Sequence, residues 1–161
     1  MLLRPLFVAV LAVAGLLAAP AQAFCSYKGQ MYAETTLAQE FADSPLVVRA
    51  TVISADQHWS DEDDSWTIYH LKVSSAFKGG LRPRVDLFTF RNSGGFYLDK
   101  GATPDLGGEY LLFLDPGHDR ADFPKAARGA MWVNYACGQS KAWEEVTPAE
   151  RQQLTALSHG K

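Results

Sequence analysis

The chain has few cysteines and lacks the residue patterns that most enzyme classes require. It contains only two cysteines, Cys25 and Cys137, and they are too far apart for a Cys-x-x-Cys redox motif. It has no His-x-His or His-Glu-x-x-His zinc pattern, no Gly-x-Ser-x-Gly elbow and no phosphate-binding loop. These absences leave no candidate catalytic residue and no pattern for a metal or another cofactor. The sequence therefore favours a binding protein over an enzyme.

Basic residues are also too few for a nucleic-acid partner. The chain has 15 Lys and Arg against 18 Asp and Glu, and its formal net charge is −3. Neutralisation of phosphates requires clustered Lys and Arg, so this acidic balance argues against nucleic acid. Beyond the N-terminal segment, no apolar run approaches the roughly 20 residues that span a bilayer. These properties predict one globular domain that has no membrane span.

The N-terminus has the pattern of a signal peptide. Arg4 supplies a positive charge, residues 6–19 are apolar, and Ala21-Gln22-Ala23 supplies the small residues of a cleavage site. We therefore predict that residues 1–23 are removed and that residues 24–161 form a single secreted or periplasmic domain. An even number of cysteines in an oxidising compartment predicts one disulfide.

Alternating and apolar segments predict five β-strands in this domain. In the first, Val48, Ala50 and Val52 alternate with Arg49 and Thr51, which is typical of a half-buried strand. The predicted strands cover residues 45–54, 69–77, 85–90, 110–114 and 131–135. The side chains predicted to line one barrel interior are Leu46, Val48, Val52, Leu71, Val73, Leu111 and Phe113.

Two helices are predicted to flank the strands. Thr36 and Gln39 have capping-box spacing before an apolar pair, and Thr147 and Glu150 have the same spacing around Pro148. The resulting fold class is all-β with flanking helices. Five antiparallel strands at these spacings suit a closed Greek-key barrel similar to the OB fold, and a two-sheet sandwich is the alternative.

Several segments, taken in order, resemble those of the netrin-like domains, which include the tissue inhibitors of metalloproteinases. Residues 41–52 resemble the first strand of these domains, and residues 69–79 resemble the second strand and its closing turn. Residues 108–113 match their "glycine, x, tyrosine, leucine" strand. Residues 137–143 and 147–151 resemble the cysteine, the tryptophan and the C-terminal helix. The resemblance implies a five-stranded OB-like barrel.

The resemblance also implies a disulfide and a mode of inhibition. Cys25 resembles the third residue of the inhibitors' N-terminal Cys-x-Cys, and Cys137 resembles its disulfide partner. In the inhibitors, the α-amino group and carbonyl of the first Cys chelate the catalytic zinc of the protease. Here that position is Ala23, the last residue of the leader, so the candidate inhibitory edge is Phe24, Cys25 and Ser26. The implied function is inhibition of a zinc metalloprotease, and the alternative is a non-inhibitory module that binds another extracytoplasmic protein.

An acidic run with flanking aromatics lies between the first two predicted strands. A calcium loop spaces its oxygen ligands at alternate positions, so a contiguous acidic run favours a solvated hairpin tip. In the family this hairpin contacts the partner, which makes it a candidate contact region with Trp59 and Trp66 exposed. Trp132 and Trp143 are expected in the core, and His70 is expected on the outer face of its strand. The candidate contact residues are Trp59, Asp61, Glu62, Asp63, Asp64 and Trp66.

Overall fold

The structure, a computed structural model, describes residues 35–60, 64–91, 95–116, 123–134 and 138–160, and only the backbone of residues 25–27 and 30–32. The predicted signal peptide and Phe24 therefore lie outside the described residues. Two short strands, β1 (Cys25–Tyr27) and β2 (Gln30–Tyr32), form an antiparallel hairpin, and helix α1 (Leu37–Asp43) follows. The remaining strands are β3 (Leu46–His58), β4 (Trp66–Lys78), β5 (Arg84–Phe90), β6 (Asp99–Lys100), β7 (Thr103–Pro104), β8 (Glu109–Pro116), β9 (Met131–Trp132) and β10 (Lys141–Ala142). Helix α2 (Pro148–His159) ends the described chain.

Five of these strands form a closed barrel. The order around it is β8-β3-β4-β5-β9, and β9 pairs with β8 to close the circle. Strand β9 is parallel to β5, with Leu87 opposite Met131, whereas the other neighbouring strands are antiparallel. Because β8 returns to pair with β3, the connection is a Greek key with OB-like topology. The predicted barrel with flanking helices is confirmed, and the two-sheet sandwich is wrong.

The barrel interior confirms the predicted alternation on β3 and β4 but corrects it on β8. Leu111 and Phe113, which were expected inside, lie on the outer face, and Tyr110, Leu112 and Leu114 line the interior. Strand β8 is buried on both faces, so its central residues are all apolar and do not alternate with polar ones. The sequence therefore does not indicate which of its side chains face the interior. The other interior side chains, all buried, include Leu46, Val48, Ala50, Val52, Tyr69, Leu71, Val73, Val85 and Leu87.

Both helices cover the outer face of β3 and β8. Each begins with the predicted capping box, at Thr36 for α1 and at Thr147 for α2. Their apolar faces pack on Leu111 and Phe113 to form a second cluster. Trp143, half-buried at the edge of this cluster, has the guanidinium carbons of Arg49 and Arg151 4.5 and 4.8 Å from its ring centroid. The helices are thereby fixed on one side of the barrel.

The segment before β9 covers part of the opposite side. Phe88, on the outer face of β5, packs with Phe123, and their ring centroids are 4.5 Å apart. Ala127, the last residue of a short 3-10 helix (Lys125–Ala127), and Ala130 are buried in the same third cluster. None of the described helices is long and apolar enough to cross a membrane. The hairpin between β3 and β4 projects beside this third cluster.

Candidate protein-contact site

The base of the β3–β4 hairpin is an aromatic surface. Trp59 follows β3 directly and is 64% exposed, whereas Trp66, the first residue of β4, is only partly exposed. Trp66 stacks on His58, which lies opposite it in the register, with 5.2 Å between ring centroids. The exposed side chain of Asp64 lies 3.9 Å from His58 Nε2. Asp61, Glu62 and Asp63 lie outside the described residues, so the role expected of the acidic tip stays a prediction.

Trp59 lies over a buried arginine. The guanidinium carbon of Arg91 is 5.3 Å from the centroid of the Trp59 ring and 4.8 Å from that of Tyr97. The Arg91 side chain is only 8% exposed, because these rings and the barrel end enclose it. Cation–π attraction is stronger when the cation is desolvated, so this contact favours one position of the Trp59 ring.

A buried polar network positions Arg91. Its Nη1 pairs with Asp99 Oδ2, its Nε donates to Thr67 Oγ1 at 2.8 Å, and its backbone N–H donates to Ser65 O at 2.7 Å. The Tyr69 hydroxyl donates to Asp99 Oδ1 at 2.5 Å. Burial, reinforced by this hydrogen bond to the Asp99 carboxylate, raises the pKa of Tyr69 far above its ordinary value. Tyr69 therefore stays a hydrogen-bond donor in neutral solution.

The network gives the hairpin a rigid base. The Asp99 carboxylate, 9% exposed, accepts from both Arg91 and Tyr69, which compensates much of its lost hydration. The arginine that supports Trp59 is thus held by the side chains of Asp99 and Thr67 and by the backbone carbonyl of Ser65. An exposed tryptophan on a fixed support loses little conformational entropy when it contacts a partner. Arg91, Thr67 and Asp99 were not singled out from the sequence.

The predicted inhibitory edge is only partly described. Phe24 lies outside the described residues, and Cys25 and Ser26 are described as backbone of β1, opposite Tyr32 and Met31. Cys137 lies outside the described residues as well. The Cys25–Cys137 disulfide and the inhibitory edge therefore stay predictions.

A buried carboxylate links the chain after β2 to the chain after Cys137. Glu40 Oε2 accepts from Thr35 Oγ1 at 2.5 Å and from the backbone N–H of Gln139 at 2.8 Å. The Gln139 side-chain amide donates to Thr35 O. Burial, the largest cause, raises the pKa of Glu40 above its ordinary value. Two segments about a hundred residues apart are joined here, and the sequence analysis did not identify Glu40.

Gly138 allows this close approach. A Cβ built on Gly138 would lie 1.9 Å from Asn134 O and 2.9 Å from Glu40 Oε1. The backbone carbonyl cannot move away as a flexible side chain could, so only glycine fits without a local shift. Glycine at this position is therefore part of the Glu40 junction.

The predicted surface histidine, His70, is on the outer face of β4 as expected. Its Nδ1 lies 2.8 Å from Asp86 Oδ1 and its Nε2 lies 3.1 Å from Asp56 Oδ2. The hydrogen bond with Asp86 is the main cause that raises the pKa of His70 above its ordinary value. Among the described residues, no group of three His, Cys, Asp or Glu side chains could hold a metal ion.

Comparison with protein-family models finds none that matches this chain, and comparison with the curated proteins finds no significant match. Function is therefore inferred from the geometry described above and from the resemblance of the sequence segments.

Proposed function

We propose that this chain is an exported protein-binding module that inhibits a zinc metalloprotease through its N-terminal edge and the base of the β3–β4 hairpin. The observation that carries the proposal is Trp59, a 64% exposed aromatic side chain supported by a buried Arg91–Asp99 pair. Exposed tryptophans on a fixed support are typical of the few residues that dominate binding energy at protein interfaces.

The Glu40 junction supports the placement of the N-terminal edge. Cys25 lies opposite Tyr32 in the β1–β2 hairpin, and Thr35, three residues later, contacts Gln139. Cys137 is two residues before Gln139. The contact between Thr35 and Gln139 supports the proposed Cys25–Cys137 bridge, because a disulfide requires the chain around the two cysteines to come close together.

The proposed inhibition uses the new N-terminus. After cleavage at Ala23, the α-amino group and carbonyl of Phe24 would coordinate the zinc of the protease and displace the water that attacks substrate. Cys25 would fix their position through its disulfide. Coordination needs the free lone pair of the amine, so acetylation of the N-terminus should abolish inhibition and leave the melting temperature unchanged. Inhibition constants of the mature and acetylated proteins against a panel of zinc endopeptidases test this, and equal inhibition would refute the mechanism.

The contribution of the hairpin is tested with a matched pair of variants. Trp59 and Leu106 are both 64% exposed, and Leu106 lies in the turn before β8, away from the hairpin. Trp59→Ala should weaken inhibition at least tenfold, because it removes a central interface contact. Leu106→Ala should change it less than twofold. Equal effects of the two substitutions would show that the hairpin base is not part of the contact.

The alternative function, a non-inhibitory interaction module, is favoured by the one-residue offset of the N-terminus. Phe24 takes the position that follows the inhibitors' chelating Cys, so its amine is displaced by one residue. A module that binds through Trp59 does not need a free amine. In that case no protease of the panel would be inhibited, and cross-linking through residue 59 in the native compartment would still capture one partner, which the Arg91→Met variant should lose.

A further inference from the structure

An open cleft of about 460 Å³ lies on the outer face of the barrel, away from the Trp59 surface. It crosses β3, β4 and the start of β5, and Gly129 and Met131 close it on the side of β9. Its walls are of two kinds, basic at the start of β5 and apolar at Ile53 on β3. The residues that line it include Ile53, His70, Arg82, Arg84, Asp86 and Met131.

The basic wall is formed by Arg82 and Arg84. Among the described residues, neither Arg82 nor Arg84 has an ion pair or a side-chain hydrogen bond, and both are exposed. Exposed Lys72 lies opposite Arg84 in the register and adds a third positive charge. By contrast, Arg49 pairs with Glu109 and Arg91 pairs with Asp99. Guanidinium groups with free donors are suited to bidentate binding of a carboxylate.

The acidic side chains near the cleft limit the kind of anion that fits. Asp86 and Asp56 each lie within hydrogen-bond distance of a ring nitrogen of His70, and among the described residues neither forms an ion pair with Arg82 or Arg84. They would repel a ligand that carries a continuous row of negative charges, such as a nucleic acid or a sulfated polysaccharide. A ligand with one carboxylate, directed at the arginines, avoids this repulsion.

The apolar wall requires an apolar group beside that carboxylate. Ile53 is 41% exposed at a break in the β3–β4 register, and it lines the cleft. Covering such a side chain contributes roughly 25 cal/mol for each Å² of apolar surface removed from water.

We propose that this cleft binds a carboxylate attached to a branched apolar group, with the carboxylate on Arg82 and Arg84 and the apolar group on Ile53. This chemistry occurs in an Asp or Glu side chain next to a hydrophobic residue of a partner peptide, and in a free aliphatic acid. The site is independent of the proposed inhibition, because none of its residues belongs to the N-terminal edge or the hairpin base.

The test is a titration of the mature protein followed by amide NMR shifts. The probes are acetyl-Leu-Glu-Leu-amide, its neutral counterpart acetyl-Leu-Gln-Leu-amide, and 4-methylpentanoate. The Glu peptide should shift the amide signals of residues 53, 84 and 131 and should bind at least tenfold more tightly than the Gln peptide. The double variant Arg82→Gln/Arg84→Gln should lose at least tenfold in affinity. Lys100→Gln/Lys125→Gln removes the same charge elsewhere on the surface and should bind as the native protein does.

Each outcome decides the proposal. Binding of 4-methylpentanoate without binding of the Glu peptide supports the cleft and identifies a free acid as the source of the carboxylate. Equal affinity for the Glu and Gln peptides overturns the proposal, as does unchanged affinity in the double arginine variant. Absence of shifts with both the Glu peptide and 4-methylpentanoate at millimolar concentration also overturns it. Dispersed NMR spectra of the variants confirm that these exposed substitutions leave the fold intact.

Discussion

Asp99→Asn tests whether the buried pair below Trp59 determines the stability of this end of the barrel. The substitution keeps the shape of the side chain and its ability to accept from Tyr69, but it removes the negative charge that Arg91 needs. Both side chains of the pair are less than a tenth exposed. Arg91 would therefore remain buried without a counterion, and breaking such a pair costs about 3–5 kcal/mol.

A second ion pair in the same barrel provides the control. Glu109 pairs with Arg49, and their side chains are 37% and 33% exposed, so water already solvates both charges. Glu109→Gln should therefore lower the free energy of unfolding by only about 0–1 kcal/mol. Charge change and side-chain shape are matched between the two substitutions, and burial is the main difference.

The assay is urea denaturation of both variants at one pH and ionic strength, followed by far-UV circular dichroism. Asp99→Asn should shift the midpoint far more than Glu109→Gln without a change in slope. The double variant Arg91→Met/Asp99→Asn should recover part of the loss, because it leaves no buried charge. A loss below about 1 kcal/mol for Asp99→Asn would refute the inference that the pair is desolvated.

Three further predictions concern other parts of the molecule. His70→Gln should lower the free energy of unfolding more at about pH 5.5 than at about pH 8.5. The pKa of His70 is raised in the folded protein, so the stabilisation by imidazolium is present below the ordinary His pKa and is lost as pH rises through the folded-state pKa. A pH-independent difference in urea midpoints would contradict this. Gly138→Ala should lower the melting temperature strongly because its Cβ would overlap a backbone carbonyl, whereas Gly80→Ala, with open space around its Cβ, should not, and equal melting temperatures would show that the junction can open. Cys25→Ser and Cys137→Ser should destabilise the exported protein equally, by about 4–5 kcal/mol if one bridge joins them, and alkylation of two thiols in the native protein would show that no bridge exists.

Patterns in the sequence predicted those parts of the fold in which the burial and hydrogen bonds of a residue depend on residues close to it in the sequence. The capping residues Thr36 and Thr147 contact residues three positions later, so the starts of both helices could be read directly. The phase of β3 was also predicted, because Arg49 and Thr51 interrupt its apolar residues. Strand β8 has no such polar residue, and its phase depends on pairing with β3, where Phe113 lies opposite Val47 on the outer face.

The polar residues of the candidate site were not predictable in this way. Arg91 follows β5 and Asp99 begins the short strand β6, and each alone is typical of a solvated loop. They become buried as a pair where β4 places Thr67 beside Arg91 and Tyr69 beside Asp99. Glu40 has the spacing of an exposed residue on an amphipathic helix, and it is buried only because residues 138–140 return to cover α1. Trp59 was identified because an exposed aromatic beside a polar tip is visible in the sequence, but its support was not.

The two proposed functions make different demands on the same domain, and this difference separates them experimentally. Inhibition by chelation needs both the free amine of Phe24 and the contact by Trp59, so acetylation and Trp59→Ala should each abolish or weaken it. An interaction module needs only the supported Trp59, so acetylation should leave partner binding unchanged. Asp99→Asn should weaken binding under either proposed function, because it shifts Arg91, which supports Trp59. Its effect on binding should therefore resemble that of Trp59→Ala and not that of acetylation. An Asp99→Asn variant that is destabilised but binds its partner with native affinity would show that the buried pair supports the barrel and has no role in holding the contact surface.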